Sequence, residues 1–232
     1  MPRDVCRWLG ARTRSVRYKY FSDSAPGLVP GLAAVAVLMI TYGGFLFSFA
    51  LHPQAGLGDS ALRAGLTFAP CALVFGVCGY FWRRLPASWH HLLAPVGCLV
   101  AMGGYLAVAS VLRSGGPGGV LLQTGLVVTG AALALGFSPL VTHALVRVPV
   151  HKAADASGVL TTALQLGQAV GVAVLGSVFL TLTARGPAGA PTAAVSGHAL
   201  YVTLTWAARA MVLAVAAAVP LARTVAAARR AG

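Results

Sequence analysis

The sequence predicts an all-α integral membrane protein built as a bundle of six membrane-spanning helices. Two features of the sequence predict it, and a third orients it. The 232 residues are 58% hydrophobic and only 9% charged, where soluble domains carry about 25% charged residues. Six apolar runs, each long enough to cross roughly 30 Å of hydrocarbon, follow one another from residue 28 onward. The cations between those runs are distributed unevenly, thirteen on one side against three on the other.

Residues 1–27 read as a basic tail carrying Arg3, Arg7, Arg12, Arg14, Arg17 and Lys19. No apolar core follows closely enough for a cleavable signal peptide. Val5, Trp8 and Leu9 form a short amphipathic patch, either a membrane-surface contact or part of a plain solvated tail. The membrane domain is predicted over 28–222, with spans at about 28–51, 65–82, 92–112, 119–145, 157–182 and 199–221, and a second basic tail at 223–232. Lipid offers backbone amides no partner, so spans of this length are helices. Pro70, Pro95 and Pro139 lie inside them and are expected to kink them.

With the N-terminus inside, the cytoplasmic side holds the six tail cations, Arg83, Arg84, Arg147, Lys152, Arg223, Arg229 and Arg230. The outer side holds Arg63, Arg113 and Arg185. This bias places both termini in the cytoplasm. The net charge of +13 therefore belongs to topology, not to nucleic-acid binding. The abundance of arginine, alanine and glycine fits a GC-rich bacterial gene, hence the bacterial cell membrane.

The fifth run has two faces. At about 100° per residue, Gly158, Thr161, Thr162, Gln165, Ala169 and Val172 fall near one line, with Gln168 at its edge. Gly167 and Gly171 fall opposite at GxxxG spacing and are expected to admit a neighbouring helix. In the first run Thr41, Gly44, Phe45, Ser48 and His52 share a face, followed by Gln54 at the outer mouth. That stripe suits either a weakly polar binding surface or helix packing.

The acids are Asp4, Asp23, Asp59 and Asp155, none inside an apolar run. Proton-coupled carriers place a carboxylate or histidine within the membrane. Only His143 and His52 come near, both toward span ends. His143 reads as a proton carrier or as an interfacial histidine. Asp155 reads as a cap for the fifth helix. Arg209, inside the last run, is expected to snorkel toward the outer interface or to serve a solute or inter-helix charge role. Cys6, Cys71, Cys78 and Cys98 form no CxxC pair and read as small hydrophobes, so neither metal nor cofactor is implied. No HExxH, paired carboxylates, phosphate loop or GxSG pattern appears, so the chain does not read as an enzyme.

Leu51 to Pro70, LHPQAGLGDSALRAGLTFAP, resembles the segment joining the ninth and tenth helices of fourteen-helix drug:proton antiporters of the major facilitator superfamily. Gly136 to Phe179, with ASGVLTTALQLGQAVGVAVLG as its most specific phrase, resembles their twelfth-to-thirteenth helix segment. Pro53 stands where the family often has leucine, and is expected to distort the outer end of the first span. The resemblance implies the last six of fourteen helices, half of an alternating-access exporter. The first and fourth spans would line the cavity, and the second and fifth would flank it. Thr41, Ser48, Gln54, Gln123, Thr161, Gln165 and Gln168 are then the residues expected to face a small hydrophobic or amphiphilic solute. The other expected partners are lipid and either an N-terminal transporter half or a second copy of the chain. The alternative reading is a non-transporting membrane fragment, or a partner for other helices, without a proton site of its own.

Overall fold

In the computed structural model, residues 28–145, 148, 153–186 and 192–230 are described. The amphipathic patch around Trp8 lies outside them. Among the described residues the structure is all helical: α1 Leu28–Leu51, α2 Ala61–Phe81, α3 His90–Leu112, α4 Gly119–Leu145, α5 Ala153–Ala184 and α6 Thr192–Arg230. Six helices are long and apolar enough to cross a membrane. Several buried hydroxyls are satisfied by bonding back to their own helix, as Thr203 does to the Ala199 carbonyl (2.8 Å) and Thr129 to Gly125 (2.7 Å).

Helix ends depart from the apolar runs where side chains supply what hydropathy does not. α2 starts at Ala61, because the Ser60 hydroxyl caps it by accepting from the Arg63 amide (3.3 Å). α5 starts at Ala153, so Asp155 lies within its first turn rather than capping it. There its charge still faces the positive end of the helix dipole. α6 starts at Thr192, seven residues before the expected run, and continues through the basic stretch to Arg230. Two contacts hold its early start. Ser196 bonds His52 (2.9 Å), and Gly197 sits against the backbone of Leu112 and Gly115. Around Pro53 the chain passes from α-helix into a π-helical turn, His52–Gly56, closed by Leu57 N–H to the His52 carbonyl (3.2 Å). Pro70, Pro95 and Pro139 sit inside α2, α3 and α4 without ending them.

The helices form two layers. α2 packs on α4, α4 meets α1, and α1 packs on α5, giving a front row α2–α4–α1–α5. α3 and α6 pack on one another behind α4 and α1. The flanking helices are the most open: 11% of the α2 span and 28% of the α5 span is buried, against 56% for α1 and α3. The core between the layers centres on Phe45 of α1, whose ring lies 5.0 Å from Tyr105 of α3 and 6.0 Å from Phe68 of α2.

Lipid is as apolar as leucine, so close van der Waals packing has to hold such helices together. The α1–α5 contact shows how. A methyl on Gly43 would lie 2.6 Å from the Gln168 carbonyl oxygen. One on Gly171 would overlap the Ile40 carbonyl, and one on Gly167 would lie 2.9 Å from the Ala36 carbonyl oxygen. The two backbones touch through glycines contributed by both helices. Cys71 and Cys98 are buried in the core and Cys78 is half-buried, all as free thiols.

Candidate solute-facing site

The two layers differ in what they mainly expose. The outward faces of α3 and α6 show large apolar side chains such as Val96, Leu99, Leu106, Val212 and Leu213, the composition that lipid favours. On the front, Tyr42 of α1 stacks on Phe75 of α2 (6.3 Å, 11°), and Phe75 meets Phe137 of α4 (6.2 Å). These three rings come from three helices and are only partly buried. Beside them a groove of about 320 Å³ runs between α1 and α5, lined by Gly43, Leu46, Phe47, Gln168 and Val172. A cleft of about 540 Å³ between α2 and α4 joins Phe137 and Ser138 to Trp82, Arg83 and Arg84. Its mouth is cationic, its wall aromatic, and Arg84 lies over the Phe81 ring at 4.5 Å. Flat aromatic faces with few polar groups can hold a flat or greasy molecule without demanding one shape.

Thr161 and Gln165 are exposed on α5, and Thr161 bonds its own helix at the Ser157 carbonyl (2.9 Å). Gln165 sits about 18 Å along α5 from its start, an amide at membrane depth. Gln168 is half-buried and lines the groove. Gln54 is exposed beyond α1, with its amide donating to Ala50 (2.8 Å). Gln123 is half-buried near the start of α4, and its Oε1 has no partner among the described residues. Gly167 and Gly171 are buried against α1. The side chain of His143 lies outside the described residues.

Three residues stand elsewhere than expected. Thr41 and Ser48 are fully buried inside the bundle, with Thr41 donating to the Leu38 carbonyl (2.9 Å). Neighbouring helices close over their stripe, which also holds Phe45 and His52, and the more open side of α1 carries Tyr42, Leu46 and Phe47. Arg209 is exposed on the back of α6, 5.2 Å from the Trp206 ring. It lies past the midpoint of the Thr192–Ala216 span, away from its Thr192 end, because the helix begins earlier than its apolar run. Tyr42, Phe75 and Phe137 escaped the sequence reading. Each is an ordinary apolar residue in its own helix, and only the fold brings them together.

Residues 7–172 match the family model described as Major Facilitator Superfamily. The chain belongs to that superfamily. Among curated relatives, the probable actinorhodin transporter of Streptomyces coelicolor is 36% identical over 155 residues, covering 66% of this chain and 27% of that protein. The multidrug resistance protein Stp of Mycobacterium tuberculosis is 35% identical over 177 residues, covering 74% of this chain and 32% of that one. The cephamycin export protein CmcT of Amycolatopsis lactamdurans is 34% identical over 157 residues, covering 66% and 31%. The matches thus span about a third or less of each relative. This superfamily member is an integral membrane protein of a transporter family whose relatives include drug and antibiotic exporters.

Proposed function

We propose that this chain is the C-terminal six-helix half of a fourteen-helix exporter. It moves a small hydrophobic or amphiphilic solute out of the cell in exchange for protons. The observation that carries the reading is the asymmetry of the bundle's two sides. The back presents mainly apolar side chains, with Arg209 exposed beside Trp206 as its charged exception, while the front row carries three ring faces from three helices, a groove ending on Gln168, and Thr161 and Gln165. An exposed amide at membrane depth is costly in lipid and useful in a cavity. The front row is therefore the side that meets both the solute and a second bundle. α1 and α4 form its centre, and α2 and α5 close its edges.

In this reading the solute enters from the cleft beside Arg83 and Arg84 and lies against Phe137 and Phe75. Its polar atoms find Gln168 and Gln165, and the rocking of the two bundles exposes it to the outer side. The charge bias puts both termini in the cytoplasm of a bacterial cell, so that the cleft opens inward. The names of the relatives support export as the direction.

The test is ethidium efflux from vesicles with an imposed pH gradient. One set contains this chain alone, and the other adds the N-terminal remainder of the Stp relative in trans. Gradient-driven efflux only in the second set is expected. Gradient-driven efflux from the lone chain overturns the half-transporter reading.

A further inference from the structure

A second polar site lies at the far end of the bundle from the arginine cleft, in the π-helical turn. His52 is fully buried there. Its Nδ1 is 2.9 Å from the Ser196 hydroxyl on α6, and that hydroxyl in turn donates to the Ala193 carbonyl (3.1 Å). A hydroxyl that donates to a carbonyl accepts from the ring, so Nδ1 carries the proton and Nε2 holds a lone pair. Nε2 is buried and has no hydrogen-bond partner among the described residues. His52 lines a small cavity of about 60 Å³, together with Phe49, Asp59, Arg63 and Thr67. That is room enough for water. The Asp59 amide bonds the Pro53 carbonyl (2.9 Å), which folds the acid back over the turn, and its carboxylate pairs with Arg63 at 3.2 Å.

We infer that His52 is the proton-binding residue of this half, loaded from the outer side through the cavity and balanced when charged by Asp59. On loading, a hydronium ion gives its proton to the Nε2 lone pair, an N–H bond forms, and a water molecule is left. The imidazolium then needs an anion. Asp59 is the acid lining the same cavity. Arg63 is largely exposed, so the Asp59 carboxylate can leave it for the ring at little cost. The other charged groups at this end among the described residues are Arg113 of α3, held over the Tyr201 ring at 4.7 Å, and Arg185, one residue past the end of α5. α4 brings only the Gln123 amide near this end, and His198 on α6 is exposed. His52 continues the buried stripe of α1 four residues after Ser48, and the π-turn that begins there leaves Gln54 outside. Because Ser196 ties the ring to α6, a change in its charge acts on the contact between the front row and the back layer.

The inference rests on the antiport reading for its consequence in transport but not for the proton site itself, so the two are tested separately. The first test is nitrogen NMR of the full chain in lipid nanodiscs with ring-labelled histidine. His52→Gln assigns one of the six histidine signals. The expected result is a neutral Nδ1–H ring at high pH that becomes doubly protonated as the pH is lowered. Asp59→Asn should lower its charged-to-neutral ratio at a given pH about tenfold. Ser196→Ala should free the tautomer while leaving the titration in place. A His52 ring that stays neutral throughout, or an Asp59→Asn variant that titrates like the parent, overturns the proposal. The second test uses vesicles that also hold the complementary N-terminal portion. His52→Gln should abolish gradient-driven ethidium efflux while leaving ethidium counterflow intact. Gradient-driven efflux at the parent rate in His52→Gln overturns the role of His52 in coupling. A titrating His52 in a parent protein without gradient-driven efflux supports the proton site and overturns the antiport reading instead.

Discussion

Replacing Gly171 by alanine adds one methyl group at the point where α1 and α5 touch. That methyl would lie 2.8 Å from the Ile40 carbonyl carbon and 3.0 Å from its Cα, both inside ordinary van der Waals separation. These atoms, with the still closer Ile40 carbonyl oxygen, belong to a helix backbone and cannot rotate away, so the two helices must part. Overpacking of this kind costs about 1–3 kcal/mol. Gly158 on the same helix is the control. A methyl there meets nothing within 4 Å, and alanine in place of glycine stabilises a helix by up to about 1 kcal/mol. The propensity gain is common to both positions, so the two variants should differ by about 1–3 kcal/mol, with Gly171→Ala the less stable. Equilibrium unfolding in mixed micelles, followed by tryptophan fluorescence, measures the difference. Equal stability of the two variants would show that α5 does not rest on α1 through its glycine face.

Phe75→Ala should weaken ethidium binding with little loss of stability, because the ring is part-exposed on the front row. Phe45→Ala, in the core, should cost about 3–5 kcal/mol; binding titrations and unfolding of both separate a solute contact from a packing contact. Arg209→Leu should stabilise the protein by about 2 kcal/mol. It relieves about 2.5–3.5 kcal/mol of membrane insertion cost and gives up about 0.5–1 kcal/mol of contact with Trp206; a strong loss of stability would reveal a partner for Arg209. Reporter fusions after Arg84 should read cytoplasm and those after Gly116 should read outside; the reverse pattern would invert the orientation.

What the sequence made legible is what lipid enforces locally. Backbone satisfaction fixes helices wherever 20 apolar residues run together, so six spans could be read from hydropathy alone. GxxxG spacing marks a close helix contact because only missing side chains allow one, and Gly167 and Gly171 lie at one. Which side of α1 stays open was not legible. Thr41 and Ser48 are polar, but they are also small, and small residues in a bundle turn inward where helices meet. Hydropathy gives polarity and not partner, so the buried stripe and the open one exchange places. The ring cluster of Tyr42, Phe75 and Phe137 was invisible for a related reason: it exists only between helices. The early start of α6 depended on Ser196 meeting His52, two residues 144 positions apart.

The central claim is that the row α2–α4–α1–α5 faces solute and that α3 and α6 face lipid. The most direct measurement is labelling of single cysteines with a membrane-impermeant maleimide, in a chain whose native cysteines are replaced by alanine, reconstituted with the complementary N-terminal portion. Cysteines at Phe75 and Gln165 on the front, and at Leu99 and Leu213 on the back, sample the two sides. The account predicts that the front sites react and are protected by ethidium, while the back sites stay unreactive. Reaction at Leu99 and Leu213 equal to that at the front, or no protection by ethidium at either front site, would contradict it.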